Sequence, residues 1–362
     1  MLKINLLQSR ELSSNKKSIL NNKTWTDELK NSFRTNIELG QYLNTNIPKT
    51  NFPIFITKAF AKRIKIAGPS SSLWKQFIPT KAELENELGE TDPIGDNENF
   101  SSNQLIHRYK NRALFLPNIN CPIHCRFCFR QHNLNNGNEL FKPNLKTTIN
   151  YLQEHKEINE LIFSGGDPFL LSDDKLYSFF NLFRNKTDIK YIRIHSKSLT
   201  TLPSRYTNEF IDMLKASSKL FKKFIIVFHC NHIDELDENI KDIIKKLKNS
   251  NIELLLQSVL LKNINDDLES LKKLFLNFSD LGVRPYYLHH TDRVKNAMHF
   301  YLSIEEGRLL YQKLRDELPG WAIPQYVIDL PNGVGKTPLF NPENYEFSGT
   351  FIDKNGDKIK YL

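Results

Sequence analysis

The chain has 362 residues, 40% of them hydrophobic and 25% charged, with a formal net charge of +9 and a sequence pI of about 9.1. This length and balance are typical of a globular chain of one or two domains, and no apolar run is long enough to cross a bilayer. The amino-terminal segment MLKINLLQSRELSSNKK lacks a sustained apolar stretch followed by a small-residue cleavage site, so we predict a cytoplasmic protein without a membrane partner. Basic charge permits contact with RNA, but lysines spread along amphipathic segments favour solvated helix faces, so no nucleic-acid partner is predicted.

The first hundred residues predict helices in an irregular arrangement. The candidates are TWTDELKNSFRTNIEL, ITKAFAKRI and KAELENEL, at residues 24–39, 56–64 and 81–88. The polar stretch GETDPIGDNENFSSN, at residues 89–103, has the composition of a linker. We therefore predict a helical N-terminal extension over residues 1–100.

Beyond this stretch, short apolar runs alternate with longer amphipathic ones. The predicted strands are residues 113–119, 160–165, 191–196, 223–230, 252–261, 284–290 and 325–330. The predicted helices are residues 146–158, 172–185, 205–220, 236–249, 267–282 and 303–318. Such alternation predicts an α/β fold, a partial (β/α)6 TIM-like barrel over residues 101–330 followed by a short C-terminal segment over 331–362. In barrels of this kind, the chemistry lies at the carboxyl ends of the strands.

Three of the four cysteines lie directly after the first predicted strand, in NINCPIHCRFCFRQH. The thiolates of Cys121, Cys125 and Cys128 have a CxxxCxxC spacing that can hold three irons of a [4Fe–4S] cluster and leave the fourth iron for a ligand. A zinc site is the alternative, with His124 or His132 as the fourth ligand.

The second predicted strand runs into SGGDP, which contains Gly165, Gly166 and Asp167. Glycine lets a backbone approach a ligand closely, although the same tripeptide is also a common turn. Its position one strand after the cysteines favours a binding loop.

Near the C-terminus, IDLPNGVGKTPL ends in a Gly-Lys-Thr like that of a phosphate-binding P-loop. A P-loop requires glycine five residues before its Gly-Lys pair, where this chain has Leu330. Pro338 also makes a following helix unfavourable. These departures argue against a nucleotide site and leave the role of Lys336 open.

Taken together, these motifs resemble those of the lysine 2,3-aminomutases, which are radical S-adenosylmethionine enzymes. The resemblance is closest to the branch that makes β-lysine for elongation factor P, and it covers nearly the whole chain after about residue 20. The segments that carry it, in the family's order, are HRYKNRALFLPNINCPIHCRFCFRQH, SGGDP, LPSRYT, LQSVLLKNIND, RPYYLHHTDRVKNAMHF and IDLPNGVGKTPL.

The resemblance implies three cofactors: a [4Fe–4S] cluster on the three cysteines, S-adenosylmethionine and pyridoxal 5′-phosphate. Lys336 matches the lysine that forms a Schiff base with pyridoxal 5′-phosphate, and Arg108 and Arg112 match the arginines beside its phosphate. The residues implied to contact S-adenosylmethionine are Gly165, Gly166, Asp167 and Gln257. One departure is Lys197, where the family commonly has an arginine.

The resemblance also implies how the substrate is read. Arg130 matches the residue that pairs with the α-carboxylate of lysine. Asp292 and Asp329 match the two acids that hold the ε-ammonium, and an acid-lined pocket would repel the second carboxylate of glutamate.

The implied activity is conversion of L-lysine to β-lysine by 2,3-amino migration, for modification of elongation factor P. The implied partners are lysine, an electron donor such as flavodoxin or ferredoxin, and a pathway link to elongation factor P and its lysyl-transferring enzyme. Three alternatives stay open: a radical enzyme that modifies RNA, an aminomutase for another amino acid, and a non-enzymatic zinc-binding module.

Overall fold

A computed structural model describes residues 24–85, 88–102, 104–135, 144–248, 250–339, 349–352 and 357–361. The segment searched for a signal peptide lies outside these residues, as do residues 86 and 87 of the third predicted N-terminal helix. None of the helices in the described ranges has the length and apolarity needed to traverse a membrane.

The described part of the N-terminal extension contains five short helices; four of them overlap the predicted segments, and the fourth in chain order, at residues 72–77, was not predicted. Threonine or serine hydroxyls cap the first four of these helices, as their sequence favours. The apolar faces of the second, third and fourth helices, with isoleucines of the connecting loops, build a small core into which Ile123 of the cysteine segment also inserts. The helices are α1 Trp25–Lys30, α2 Asn36–Leu43, α3 Lys58–Ala67, α4 Ser72–Phe77 and α5 Ala82–Glu85.

A ten-stranded sheet follows, with its strands in chain order from one edge to the other. The strands are β1 Phe100–Ser102, β2 Leu105–Tyr109, β3 Arg112–Phe115, β4 Glu160–Phe163, β5 Tyr191–Ser196, β6 Lys223–His229, β7 Ile252–Val259, β8 Arg284–His289, β9 Gln325–Leu330 and β10 Gly335–Pro338. Strands β3 to β9 are parallel and correspond to the seven predicted strands. The antiparallel strands β1, β2 and β10 at the two edges were not predicted.

Helices connect the parallel strands, and all six predicted helices of this region are present. They are α6 Gln131–Asn135, α7 Leu145–Glu154, α8 Asp173–Lys186, α9 Ser198–Thr201, α10 Asn208–Ser218, α11 Glu238–Lys248, α12 Leu268–Asp280 and α13 Ile304–Glu317. Six strand–helix units therefore lead to β9, and the described sheet is open, with β1 and β10 at its ends. This arrangement confirms the predicted α/β fold and partial barrel. A small hairpin, β11 Thr350–Ile352 and β12 Lys358–Lys360, follows.

The two faces of the sheet differ because side chains alternate along each strand. The outer face packs against the helices through residues such as Phe163, Ile194 and Phe228, all fully buried in the main core. The inner face surrounds a cavity of about 660 Å³. The fold thus leaves one large internal space at which the strands and their following loops meet.

Candidate active site

Every residue that the resemblance assigns to a cofactor or to the substrate lines the cavity on the inner face of the sheet. They are Arg108, Arg112, Cys121, Cys125, Cys128, Arg130, Gly165, Gly166, Asp167, Gln257, Asp292, Asp329 and Lys336. They come from strands and loops that are up to 228 positions apart in sequence, from Arg108 to Lys336. Their convergence on one cavity is a property of the fold that no local pattern contains.

The three thiols of the cysteine segment lie on the wall of this cavity. Burial raises the pKa of all three, that of Cys125 to about 12, and the charge of Cys128 raises the pKa of Cys121 further. Buried thiols resist ionisation unless a metal centre offsets the cost. Within the described residues, no three His, Cys, Asp or Glu side chains converge on a single metal-ion position. A cluster takes one thiolate per iron, so three thiols on the wall of one cavity can serve three of its irons.

The histidines that could complete a zinc site make other contacts. His124 Nδ1 lies 2.9 Å from the Pro53 carbonyl oxygen, and burial lowers its pKa to about 4. His132 Nε2 lies 3.3 Å from the Lys295 carbonyl oxygen. Neither histidine is among the residues that line the cavity with the three thiols, which favours the three-thiolate cluster site.

The N-terminal extension holds the cysteine segment in place through Arg126, between the second and third cysteines. Its guanidinium binds both carboxylate oxygens of Glu83, with Nε 3.0 Å from Oε1. It also donates to the carbonyl oxygens of Phe52 and Pro53 and to the hydroxyl of Thr50. No local sequence pattern indicates this role of Arg126, because its side-chain partners lie 43 or more positions away.

The two glycines after β4 allow close approach between backbones. Gly165 has a φ of +103°, and a Cβ on Gly166 would lie 2.2 Å from the Asn120 carbonyl oxygen. Gly166 donates its N–H to the Asn118 carbonyl oxygen at 3.0 Å. The glycines therefore pack the second loop against the cysteine segment, which is a structural reason for small residues here.

The carboxylate of Asp167 is engaged by neighbouring donors. It accepts the backbone N–H groups of Phe169, Lys197 and Ser198 at 2.8–3.0 Å and the hydroxyl of Ser196. Burial raises its pKa in spite of these bonds. Asp167 thus joins the loops after β4 and β5, and its contact with S-adenosylmethionine stays a prediction.

Lys197, which replaces the family's usual arginine, is buried and paired. Its Nζ lies 2.8 Å from Glu235 Oε2, and it lies over the rings of Phe77 and Phe127. Burial alone would lower the pKa of Lys197, but the Glu235 carboxylate outweighs this effect and raises it. The lysine therefore remains charged beside the cysteine segment.

The stretch read as a linker contributes an acid to the cavity. Asp96 is 2% exposed, and its carboxylate accepts from Arg130 Nε at 2.7 Å and from Arg108 Nη2 at 3.3 Å. The linker interpretation was wrong for this part of the chain, because turn-forming residues can also pack in a folded loop. Arg108 lies in β2, one of the edge strands that the sequence did not predict.

Lys336 lies on a hairpin strand, directly opposite Asp329 of β9. The turn between these strands has Asn332 and Gly333 at φ of +58° and +68°, a conformation that suits this residue pair. The Lys336 backbone N–H donates to the Tyr109 hydroxyl at 2.6 Å. Lys336 itself lies within the strand β10, whereas a P-loop lysine opens a helix.

The ammonium of Lys336 is 2.7 Å from both carboxylate oxygens of Asp329. Burial would raise the pKa of Asp329, but Lys336 and His289 outweigh burial and hold it well below its ordinary value. Asp292 behaves in the opposite way, since burial and the charge of Asp329 raise its pKa to about 8. The cavity therefore presents one ionised and one readily protonated carboxylate to a primary ammonium.

Three imidazoles on neighbouring strands also line the cavity, although the sequence analysis did not select them. His195, His229 and His289 lie in β5, β6 and β8, and burial lowers the pKa of each. Their shared place near the carboxyl ends of the strands is the sequence signal that could have identified them.

Comparisons with known proteins show which proteins the chain is similar to in sequence. A family model described as a 4Fe-4S single cluster domain matches residues 112–217. The chain is 35% identical over 328 residues to the L-lysine 2,3-aminomutase of Buchnera aphidicola subsp. Baizongia pistaciae, covering 88% of this chain and 96% of that protein. It is 33% identical over 292 residues to the L-lysine 2,3-aminomutase of Escherichia coli K12, covering 80% and 84%. It is also 32% identical over 274 residues to the glutamate 2,3-aminomutase of Clostridioides difficile, covering 75% and 64%.

Proposed function

The chain belongs to the lysine 2,3-aminomutase family of radical S-adenosylmethionine enzymes, and from that membership we propose that it isomerises L-lysine to β-lysine. The observation that carries the proposal is the meeting of three thiols, a lysine amine and a pair of carboxylates in one cavity. The cluster requires thiolates, a pyridoxal carbonyl requires an amine, and the substrate ammonium requires carboxylates.

The proposed cofactor sites use residues whose surroundings suit each group. Cys121, Cys125 and Cys128 would hold the cluster, and Lys336 would bind pyridoxal 5′-phosphate covalently. Arg108 and Arg112 would bind its phosphate. Gly165, Gly166, Asp167 and Gln257 would bind S-adenosylmethionine. When bound, the cluster with S-adenosylmethionine supplies a carbon radical that removes a hydrogen atom, and pyridoxal 5′-phosphate supplies the carbonyl and conjugated ring for nitrogen migration.

The chain's own residues orient the substrate and exclude water. Asp329 already holds one primary ammonium in the cavity, that of Lys336, at 2.7 Å. We assign to Asp329 and Asp292 the ε-ammonium of lysine, and to Arg130 its α-carboxylate. Fixing both ends of the substrate places its α- and β-carbons at a defined position, which is the principal contribution of binding to catalysis.

Glutamate is the second candidate substrate, because a relative named glutamate 2,3-aminomutase is also similar to this chain. The side-chain carboxylate of glutamate would lie beside Asp329, whose own carboxylate is ionised. A second carboxylate placed beside Asp329 adds repulsion between like charges, whereas the ammonium of lysine adds attraction. The acid pair therefore supports lysine over glutamate.

We further place this activity in the modification of elongation factor P. In this proposal the enzyme is cytoplasmic, a flavodoxin or ferredoxin reduces the cluster, and the lysyl-transferring enzyme of elongation factor P uses the β-lysine. A direct test supplies each β-lysine isomer to that enzyme and measures the mass gain of elongation factor P. If elongation factor P gains no mass with either isomer, the link between β-lysine formation and this modification is rejected.

The direct test of the activity is anaerobic reconstitution, followed by incubation with S-adenosylmethionine, a reductant and either L-lysine or L-glutamate. We expect iron and sulfide in the purified protein, and β-lysine from lysine with no β-glutamate from glutamate. Product from glutamate alone would establish the second candidate. No isomer from either substrate, with cluster and pyridoxal 5′-phosphate bound, would reject both.

Lysine affinity should depend on pH through Asp292. Its pKa of about 8 means that it is mostly protonated at pH 7, and binding of the ε-ammonium favours the ionised form. Affinity should therefore rise by up to about tenfold per pH unit below pH 8 and level off above it. Titration of lysine between pH 6 and 9 measures this dependence. The rise should disappear in Asp292→Asn, and a flat wild-type profile would contradict the role of Asp292.

A further inference from the structure

Asp96 belongs to a loop that is fixed between the two regions that carry the acids and Lys336. Asp92 Oδ1 accepts the Asp96 N–H at 3.0 Å, and Glu90 pairs with the backbone of the loop after β8. Gly95, with φ of +67°, lies so close to the turn before Lys336 that a Cβ would meet Gly333 N at 2.2 Å. The loop therefore has little freedom to move Asp96 out of the cavity wall.

The buried carboxylate of Asp96 joins two arginines. Oδ2 accepts from Arg130 Nε at 2.7 Å, and Oδ1 accepts from Arg108 Nη2 at 3.3 Å. Arg130 also donates from Nη1 to the Ser164 hydroxyl at 3.2 Å. Each buried charge thus has an opposite partner, as burial requires.

These contacts extend into a row of alternating charges. Its first part runs from Arg130 through Asp96 to Arg108. Arg108 Nη1 then lies 3.7 Å from Asp329 Oδ1, and Asp329 Oδ2 lies 2.7 Å from Lys336 Nζ. Removing Asp96 would leave two buried guanidinium groups as neighbours with no anion between them. Asp96 therefore keeps both arginines in place as well as charged.

We propose that Asp96 is the positioning residue that orients Arg130 toward the α-carboxylate of the amino-acid substrate. The Asp96 carboxylate accepts from Nε of Arg130, and this contact fixes the plane of the Arg130 guanidinium. The terminal nitrogens then provide the edge for a carboxylate, which binds arginine best through two parallel hydrogen bonds. This inference rests on the proposed function, since it requires an amino acid in the cavity.

The test compares lysine with lysinamide, which lacks the α-carboxylate but keeps both amines. Each is titrated calorimetrically into anaerobic holoenzyme without S-adenosylmethionine, so that binding is measured without turnover. We expect Asp96→Asn to weaken lysine binding about 10- to 100-fold and to leave lysinamide binding within about twofold of wild type. Glu98→Gln, which removes an exposed charge from the same loop, is the matched control and should bind both ligands as wild type does.

The outcomes separate the inference from the proposed function. Equal lysine affinity in Asp96→Asn and wild type overturns the inference, and so does an equal loss for lysine and lysinamide, which would indicate a structural role alone. A wild-type holoenzyme that does not bind lysine overturns the proposed function and the inference with it. If Asp96→Asn does not fold, the same comparison of lysine and lysinamide binding is made with Asp96→Glu. The carboxylate displaced by one methylene should lower the preference for lysine over lysinamide, and an unchanged preference overturns the inference.

Discussion

Replacing Lys336 with alanine should reduce lysine isomerisation by about a thousandfold or more, the scale expected when a residue of covalent catalysis is removed. The amine of Lys336 is the primary amine held at the acid pair of the cavity, and the substitution removes both this nucleophile and the counterion of Asp329. Because the carboxylate of Asp329 is buried, we also expect its pKa to rise and the free energy of unfolding to fall. The side chain of Lys336 is about one-third exposed, so the loss of stability should be modest.

A lysine-to-arginine change separates these two effects. Lys336→Arg keeps a cation opposite Asp329 but offers no amine that can attack a carbonyl at neutral pH. We expect it to restore thermal stability and to remain inactive. Borohydride reduction after incubation with pyridoxal 5′-phosphate should label the peptide of Lys336 in the wild type and not in either variant. Substantial activity in Lys336→Arg, or labelling at another lysine alone, would refute the assignment.

The parallel core of the fold was predictable because its signals are local. Apolar runs such as IELLLQSVLL and amphipathic runs such as LDENIKDIIKKLKN report their own structure through their periodicity. The edge strands β1 and β10 have the sequences FSS and GKTP, which carry no alternation and contain poor strand formers. They become strands only because a neighbouring strand offers hydrogen bonds, which is tertiary information.

The same distinction applies to the candidate site. The cysteines were selected from their CxxxCxxC spacing, and Lys336 was selected through the family resemblance, because its local motif left its role open. Asp96 was not selected, since DPIGDNEN has the composition of a solvated turn and nothing local indicates burial. Its role depends on Arg108 and Arg130, which reach it from β2 and from the cysteine segment. A residue whose role depends on contacts with distant parts of the chain can be recognised only in the folded structure.

Such a distant pair also predicts a large effect on the cluster. Glu83→Gln should lower iron retention and thermal stability, because Glu83 and Arg126 form an ion pair in which both side chains are at most 3% exposed. Removing the charge of one partner from a buried pair typically costs about 3–5 kcal/mol. The amide still accepts one hydrogen bond, and Arg126 keeps its contacts with Phe52, Pro53 and Thr50, so the lower end of that range applies.

The loss of stability in Glu83→Gln should be concentrated at the cysteine segment, because Arg126 connects this segment to the N-terminal extension. Iron and sulfide per chain after anaerobic reconstitution, followed through a timed exposure to air, measure how firmly the cluster is held. Glu85→Gln removes an exposed charge from the same helix and is the matched control, with wild-type retention expected. The double variant Glu83→Leu with Arg126→Met replaces the ion pair by apolar groups and should recover part of the thermal stability. Recovery stays incomplete because the carbonyl oxygens of Phe52 and Pro53 lose their donor. If it also recovers iron retention, apolar packing is enough to hold the segment. If iron is still lost while stability returns, the polar contacts of Arg126 with the extension backbone are what position the thiols. Wild-type iron retention in Glu83→Gln would show that the extension does not hold the cluster segment through this pair.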